Sequence, residues 1–204
     1  AWPKARPCRL VRICPFCWAR YVAGDLYSRV NAVLLHTPAD AIEAVSRVIV
    51  PQSSSEDLSG YIGKLAKSLG AFRRALHERN TGAFSAATIE PAEDGWLITR
   101  RLLIMVSPEF ELSLPAGSAN ETYVRWCCNQ GSGYLHELPK IVGRVTEYPA
   151  GMLLGDCSAV LDILLAASLG RGISPRLSRT YGLLRNRTAQ INLRQMTKKK
   201  RWKN

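Results

Sequence analysis

The sequence predicts an α+β domain: an antiparallel sheet with a long helix packed on one face, a zinc knuckle at the N-terminus and a basic tail at the C-terminus. Three observations predict it. Cys8, Cys14 and Cys17 cluster around Pro15, a tight turn that lets sulfurs share one ion. Leu58, Tyr61, Ile62, Leu65, Leu69, Phe72 and Leu76 fall on one helical face. Residues 84–90 and 96–106 are strand-like and joined by Pro91-Ala-Glu-Asp-Gly95, a turn signal, so a long hairpin is expected.

Residues 17–35 should form a helix leaving the cysteine turn, with Tyr21, Leu26, Val30 and Val33 or Leu34 as its apolar stripe. Thr37-Pro38-Ala39-Asp40 has the form of a helix start, with Thr as N-cap, Pro at the first helical position and Asp40 as an acid in the first turn. The short helix it opens is expected to run into a strand at 47–50, ended by Pro51. Residues 53–57 then cap the long helix, whose other face carries Lys64, Lys67, Arg73, Arg74 and Arg79. After the hairpin, 112–120 reads as a loop and 122–128 alternates as a strand would. Two further helices are expected at about 135–148 and 156–169. The organisation is therefore a basic knuckle arm (1–20), an α+β body (21–185) and a basic tail (186–204).

At 204 residues, 47% apolar and 8% aromatic, the chain has the length and composition of one globular domain. No stretch reaches the roughly 20 apolar residues of a membrane span. The longest apolar stretch, 159–169, is interrupted by Asp162. The beginning lacks the apolar core of a secretory signal. Six cysteines in this setting imply a reducing, cytoplasmic compartment and metal ligation rather than disulfides.

The net charge of +12 is concentrated at the ends. Residues 1–20 carry Lys4, Arg6, Arg9, Arg12 and Arg20 and no acid; residues 163–204 carry eleven basic residues and no acid. The middle is slightly acidic. Two basic ends on such a body imply an anionic polymer gripped by the ends, not a membrane surface. One phosphate-binding strip is Arg171, Arg176 and Arg179, with hydroxyls interleaved, and Arg185 and Arg187 extend it. Lys198, Lys199, Lys200, Arg201 and Lys203 form another, with Trp202 able to stack on a base. Arg73, Arg74, Arg100 and Arg101 are the candidate contacts of the body.

The order of these features resembles the rolling-circle replication initiators (Rep proteins) of small plasmids and single-stranded DNA phages, in the HUH endonuclease superfamily. The resemblance spans roughly residues 8–185. It rests on Cys8-x5-Cys14-Pro15-x-Cys17-x-x-Arg20, the long helix, a strand ending in Glu90 and a second strand opening on Trp96. In that family the second strand reads Trp-His-x-His-x-His, and the histidines hold a divalent metal that polarises the scissile phosphate. Here Leu97, Thr99 and Arg101 stand at those places, while Glu90 matches the family's acidic residue. The family's nucleophile helix bears Tyr-x-x-Lys-Tyr. Arg144-Val-Thr-Glu147-Tyr148 keeps only the last tyrosine.

The resemblance therefore implies a nucleic-acid-binding protein, favouring single-stranded DNA with RNA as the other candidate, on an initiator-like scaffold that has lost its nicking chemistry. It would act as a clamp in a replication or ribonucleoprotein assembly. The alternative is an active initiator that nicks single-stranded DNA through Tyr148, with Glu90 in an unusual metal site. Structural zinc at Cys8, Cys14 and Cys17 needs a fourth ligand, to come from Cys127, Cys128, His136 or Cys157.

Overall fold

The computed structural model of the chain describes residues 15–51, 61, 67, 69–74, 80–111, 113–128, 132–148 and 178–185. Its centre is a five-stranded, wholly antiparallel sheet. The strands are β1 (Asp40–Pro51), β2 (Asn80–Ala92), β3 (Gly95–Val106), β4 (Glu121–Trp126) and β5 (Ser178–Gly182), in the spatial order β4-β1-β3-β2-β5. β2 and β3 form the expected hairpin, turning at Glu93-Asp94 into Gly95, whose φ of 143° is open to glycine but not to side-chain-bearing residues.

β3 lies at the middle of the sheet, and every residue from Ile98 to Val106 is buried. A strand covered on both faces is written as a continuous apolar run rather than an alternating one. Leu102, Leu103, Ile104 and Met105 fit that rule, each contributing about 1.5–3 kcal/mol by burial. Arg100 and Arg101, 5% and 9% exposed, do not fit it. They are the place where this core departs from the rule that charges stay at the surface.

The pleat sends alternate residues to two faces. Ala41, Phe84, Ala86, Leu103 and Met105 pack against helices on one face; Ile42, Ala44, Ala83, Leu102 and Ile104 pack against Leu69 and Phe72 on the other. The first face is covered from the N-terminal side by α1 (Pro15–Trp18), a π-helical turn (Ala19–Ala23) and α2 (Gly24–Leu34). It is covered from the C-terminal side by α3 (Ser132–Val145), through Leu138, Ile141, Val142 and Val145. The expected helix at 17–35 is present, but its inward stripe is shifted: Val22, Leu26, Val30, Val33 and Leu34 are buried, and Tyr21 is 42% exposed. Tyr21 precedes Leu26 by five residues and Val30 by nine, which at about 100° per residue sets it on the side of the helix away from them.

Residues 37–46 do not open a helix. Asp40 begins β1, a twelve-residue strand paired on both sides. The local cap signal yields because residues 40–46 are buried between β3 and β4, where a strand satisfies every backbone group. Asp40, read as a first-turn acid, instead accepts from Arg125 at 2.8 and 3.0 Å and from the Cys128 amide at 3.2 Å. Arg125 also donates to the carbonyls of Phe110 and Pro108, which ties the loop before β4 to the sheet.

Of the stretch expected to form the long amphipathic helix, residues 61, 67 and 69–74 are described and helical, with Leu69 buried. β4 and α3 match the strand and helix expected near 122–128 and 135–148. β5 was read only as part of a phosphate-binding strip; it pairs with β2 from Gly82 to Ala86. The helix expected at 156–169, the knuckle cysteines Cys8 and Cys14, and the basic tail lie outside the described residues.

Candidate nucleic-acid interface

The helix-covered face of the sheet carries four charges arranged as two crossed pairs. Glu43 of β1 is 2% exposed and accepts from Arg144 of α3 at 3.0 Å and from the Trp126 indole N–H at 3.2 Å. Arg101 of β3 donates to Glu147, just beyond α3, at 2.6 Å, and its other nitrogen reaches the Thr88 hydroxyl at 3.3 Å. The register explains the pairing. Glu43 opposes Leu103 and Val45 opposes Arg101, so Glu43 and Arg101 are diagonal neighbours on one face. Arg144 and Glu147, three apart, project from one side of the last helical turn onto them. The strand supplies one charge of each sign and the helix end supplies the complements.

Burial lowers the pKa of Arg101, and Glu147 opposes that shift, with Arg47 adding to it. The Arg144 guanidinium also lies 5.6 Å from the Trp126 ring centroid. Trp18 locks the helix end in place: its indole N–H donates to the Thr146 carbonyl at 2.7 Å, and its ring meets Tyr148 edge-on at 6.3 Å. Tyr148 is half-buried there, one residue beyond the carboxylate that holds Arg101.

Further along the same face lie Arg47, Ile49 and Leu97, with Thr99 opposite Arg47 and Glu90 opposite Leu97. Arg47 is exposed and Ile49 is 55% exposed, so this end of the face is open. Arg101 meets Glu147, the residue before Tyr148 in the chain, and Glu90 lies elsewhere on the face. It sits four residues along β2 from Ala86, the partner of Arg101, which is about 13 Å of strand.

The positions at which the resemblance implies histidines are thus taken by Leu97, Thr99 and an ion-paired Arg101. This set does not fit a divalent metal, because leucine offers no lone pair and a buried guanidinium repels a cation. Among the described residues no three His, Cys, Asp or Glu side chains gather into a metal-holding group.

Of the three proposed zinc ligands, Cys17 is fully buried, and the other two lie outside the described residues. Among the candidates for the fourth, Cys127 and His136 are exposed, and Cys157 is not described. Cys128 is buried, with its thiol pushed up to about 11 by burial and by Asp40.

The remaining basic candidates divide by burial. Arg20 is exposed, with its guanidinium 5.8 Å from the Tyr21 ring centroid, while Arg73 stacks at 4.5 Å over Tyr181 of β5. Arg74, Arg179 and Arg185 are exposed. Arg100 faces the opposite side of the sheet from Arg101 and donates to the Ser85 hydroxyl at 2.9 Å; its Nε has no partner. Lys4, Arg6, Arg9, Arg12, Arg171, Arg176, Arg187, Lys198, Lys199, Lys200, Arg201, Trp202 and Lys203 lie outside the described residues.

Sequence reading missed Glu43 and Arg47. Glu43 is signalled only by an acid inside the apolar run Ala41-Ile-Glu-Ala-Val45, which becomes informative once that run is a strand. Protein-family models, curated proteins and solved structures give no match to the chain.

Proposed function

We propose that the chain is a nucleic-acid-binding protein on a scaffold like that of the rolling-circle initiators, one that holds its polymer without cutting it. The Arg101–Glu147 ion pair carries this reading. Arg101 stands where the resemblance implies a metal-binding histidine, and Glu147 where it implies the lysine beside the nucleophile. The two replacements have opposite charge to what metal-assisted nicking needs, and they satisfy each other. Positive charge at both ends of the chain supplies the phosphate attraction that remains. Single-stranded DNA is the favoured partner and RNA the other; a zinc ion at Cys8, Cys14 and Cys17 would hold the basic arm rigid and supply no chemistry beyond that.

A second reading keeps the nuclease, because Tyr148 directly follows Glu147, the partner of Arg101 on the central strand. Incubation of the full chain with single-stranded DNA and magnesium or manganese separates the two. Salt-sensitive binding without a covalent adduct supports the clamp. An adduct that disappears in Tyr148→Phe overturns it. Metal analysis of the same preparation should find about one zinc per chain.

A further inference from the structure

A cleft of about 360 Å³ opens between the N-terminal helix and β5, on the side of the sheet away from β4. That volume is at the lower end of small-molecule sites, roughly 300–1,000 Å³, and has room for one nucleotide unit. Tyr21 and Asp25 form one wall, Arg179, Thr180 and Tyr181 the other, and Arg185 closes an end.

Three features of the cleft point to one ligand chemistry. Tyr21 is 42% exposed, an aromatic ring on the wall of the cleft. Arg179 and Arg185 are exposed and form no ion pair among the described residues. The one carboxylate in the cleft, Asp25, is neutralised by Arg29 at 2.6 Å, and Arg29 also donates to the Leu184 carbonyl beside Arg185. The cleft therefore has an aromatic platform and unopposed positive charge. Arg179 stands opposite Ser85 and so projects with Arg100 to the other face of the sheet, which leaves Arg185, just after the strand, as the cation at the cleft.

We propose that this cleft binds one nucleotide of a single-stranded nucleic acid, its base stacked on Tyr21 and its phosphate on Arg185. The site deepens the binding function proposed above and rests on it. It also gives the polymer a defined track along the β5 side of the domain, apart from the Arg101–Glu147 pair.

The test measures binding of a short fluorescent oligothymidylate, and separately of thymidine monophosphate, to the full chain and to Tyr21→Ala, Tyr21→Phe and Arg185→Gln. Tyr21→Ala should weaken oligothymidylate binding roughly tenfold, because one base–aromatic stack is lost. Tyr21→Phe should restore it to within about twofold, since the ring and not the hydroxyl does the stacking. Arg185→Gln should lower the slope of log affinity against log salt by about 0.7, the loss of one phosphate contact. Monophosphate that competes with the oligomer in the wild type and not in Tyr21→Ala shows that a single nucleotide fills the cleft. Competition that is equal in both variants places it elsewhere and overturns the proposal.

Unchanged oligomer affinity in Tyr21→Ala, with a wild-type thermal midpoint, also overturns the cleft while leaving nucleic-acid binding standing. Absence of binding by the wild-type chain removes both.

Discussion

Arg101, at the centre of the sheet, and Glu147, at the exit of the last helix, meet at 2.6 Å, with the arginine side chain 11% and the glutamate 64% exposed. The asymmetry decides what the pair does. A guanidinium inside a central strand costs much less when a charge of opposite sign reaches it, whereas Glu147 loses little by standing in water. The helix end is therefore fixed relative to the strand by the needs of Arg101.

Glu147→Gln should destabilise the fold by about 1–2 kcal/mol, below the 3–5 kcal/mol of a fully buried pair because one partner is solvated. Arg101→Met in the same chain should recover most of that loss, since the buried charge goes with it. Urea midpoints of the two single variants, the double variant and the wild type measure the coupling. Additive losses would mean that Arg101 draws its compensation from Glu43 instead.

Trp18→Phe probes the other restraint on that helix end. The ring contact with Tyr148 can be kept, but the donor to the Thr146 carbonyl is lost inside the core. The expected loss is about 1–3 kcal/mol, one buried hydrogen bond plus the missing ring volume. It reads as a lower denaturation midpoint, with faster amide exchange at 145–148. Exchange faster throughout the sheet, but not selectively there, would show that Trp18 acts only as core volume.

What was legible in the sequence follows from how local each signal is. The hairpin of β2 and β3 was readable because a turn and two β-rich runs are adjacent in the chain. β1 was misread at its first half because Thr37-Pro38-Ala39-Asp40 is a good local helix start, and the competing partners, β3 and β4, come much later in sequence. β5 escaped because its five residues read as a charged strip until Gly82 and Leu184 place them against β2. The candidate site divides in the same way. The positions at which the resemblance implies histidines were visible as a pattern, whereas Glu43 became a partner of Arg144 only after β1 was laid beside β3.

Cys127 and Cys128 should behave as a chemically unlike pair. Cys127 is exposed; Cys128 is 3% exposed, and its thiol is raised from 9.0 to about 11. At pH 8 iodoacetamide should label Cys127 and spare Cys128 in the folded chain. Because the folded state holds the Cys128 proton longer than the unfolded chain does, stability should fall as pH rises from about 9 to about 11, by at most about 2–3 kcal/mol. Below pH 9 both states carry the proton and the contribution is flat. Cys128→Ala should lose this part of the pH dependence while keeping that of the other groups. Equal slopes in the two proteins between pH 9 and 11 would refute the assignment.

Gly82 sets the attachment of β5, and with it one wall of the Tyr21 cleft. A Cβ built there would lie 2.9 Å from the Leu184 amide nitrogen, 3.0 Å from its Cγ and 3.2 Å from the Tyr181 carbonyl oxygen. Two of these three neighbours are backbone atoms of β5 and its following turn, so no side-chain rotation relieves the clash. Gly82→Ala should therefore cost about 1–3 kcal/mol, the range for forcing extra volume into a packed site. The strain should be released by β5 leaving β2 before the rest of the sheet opens, because β5 is a short strand paired to β2 while β1 and β3 are paired on both sides. Hydrogen exchange should then show amides 178–182 losing protection while 98–106 keep theirs. Oligothymidylate affinity should fall in parallel with the population of detached β5. If protection is lost uniformly, or if β5 detaches with no change in affinity, the strand does not form the wall of a binding cleft.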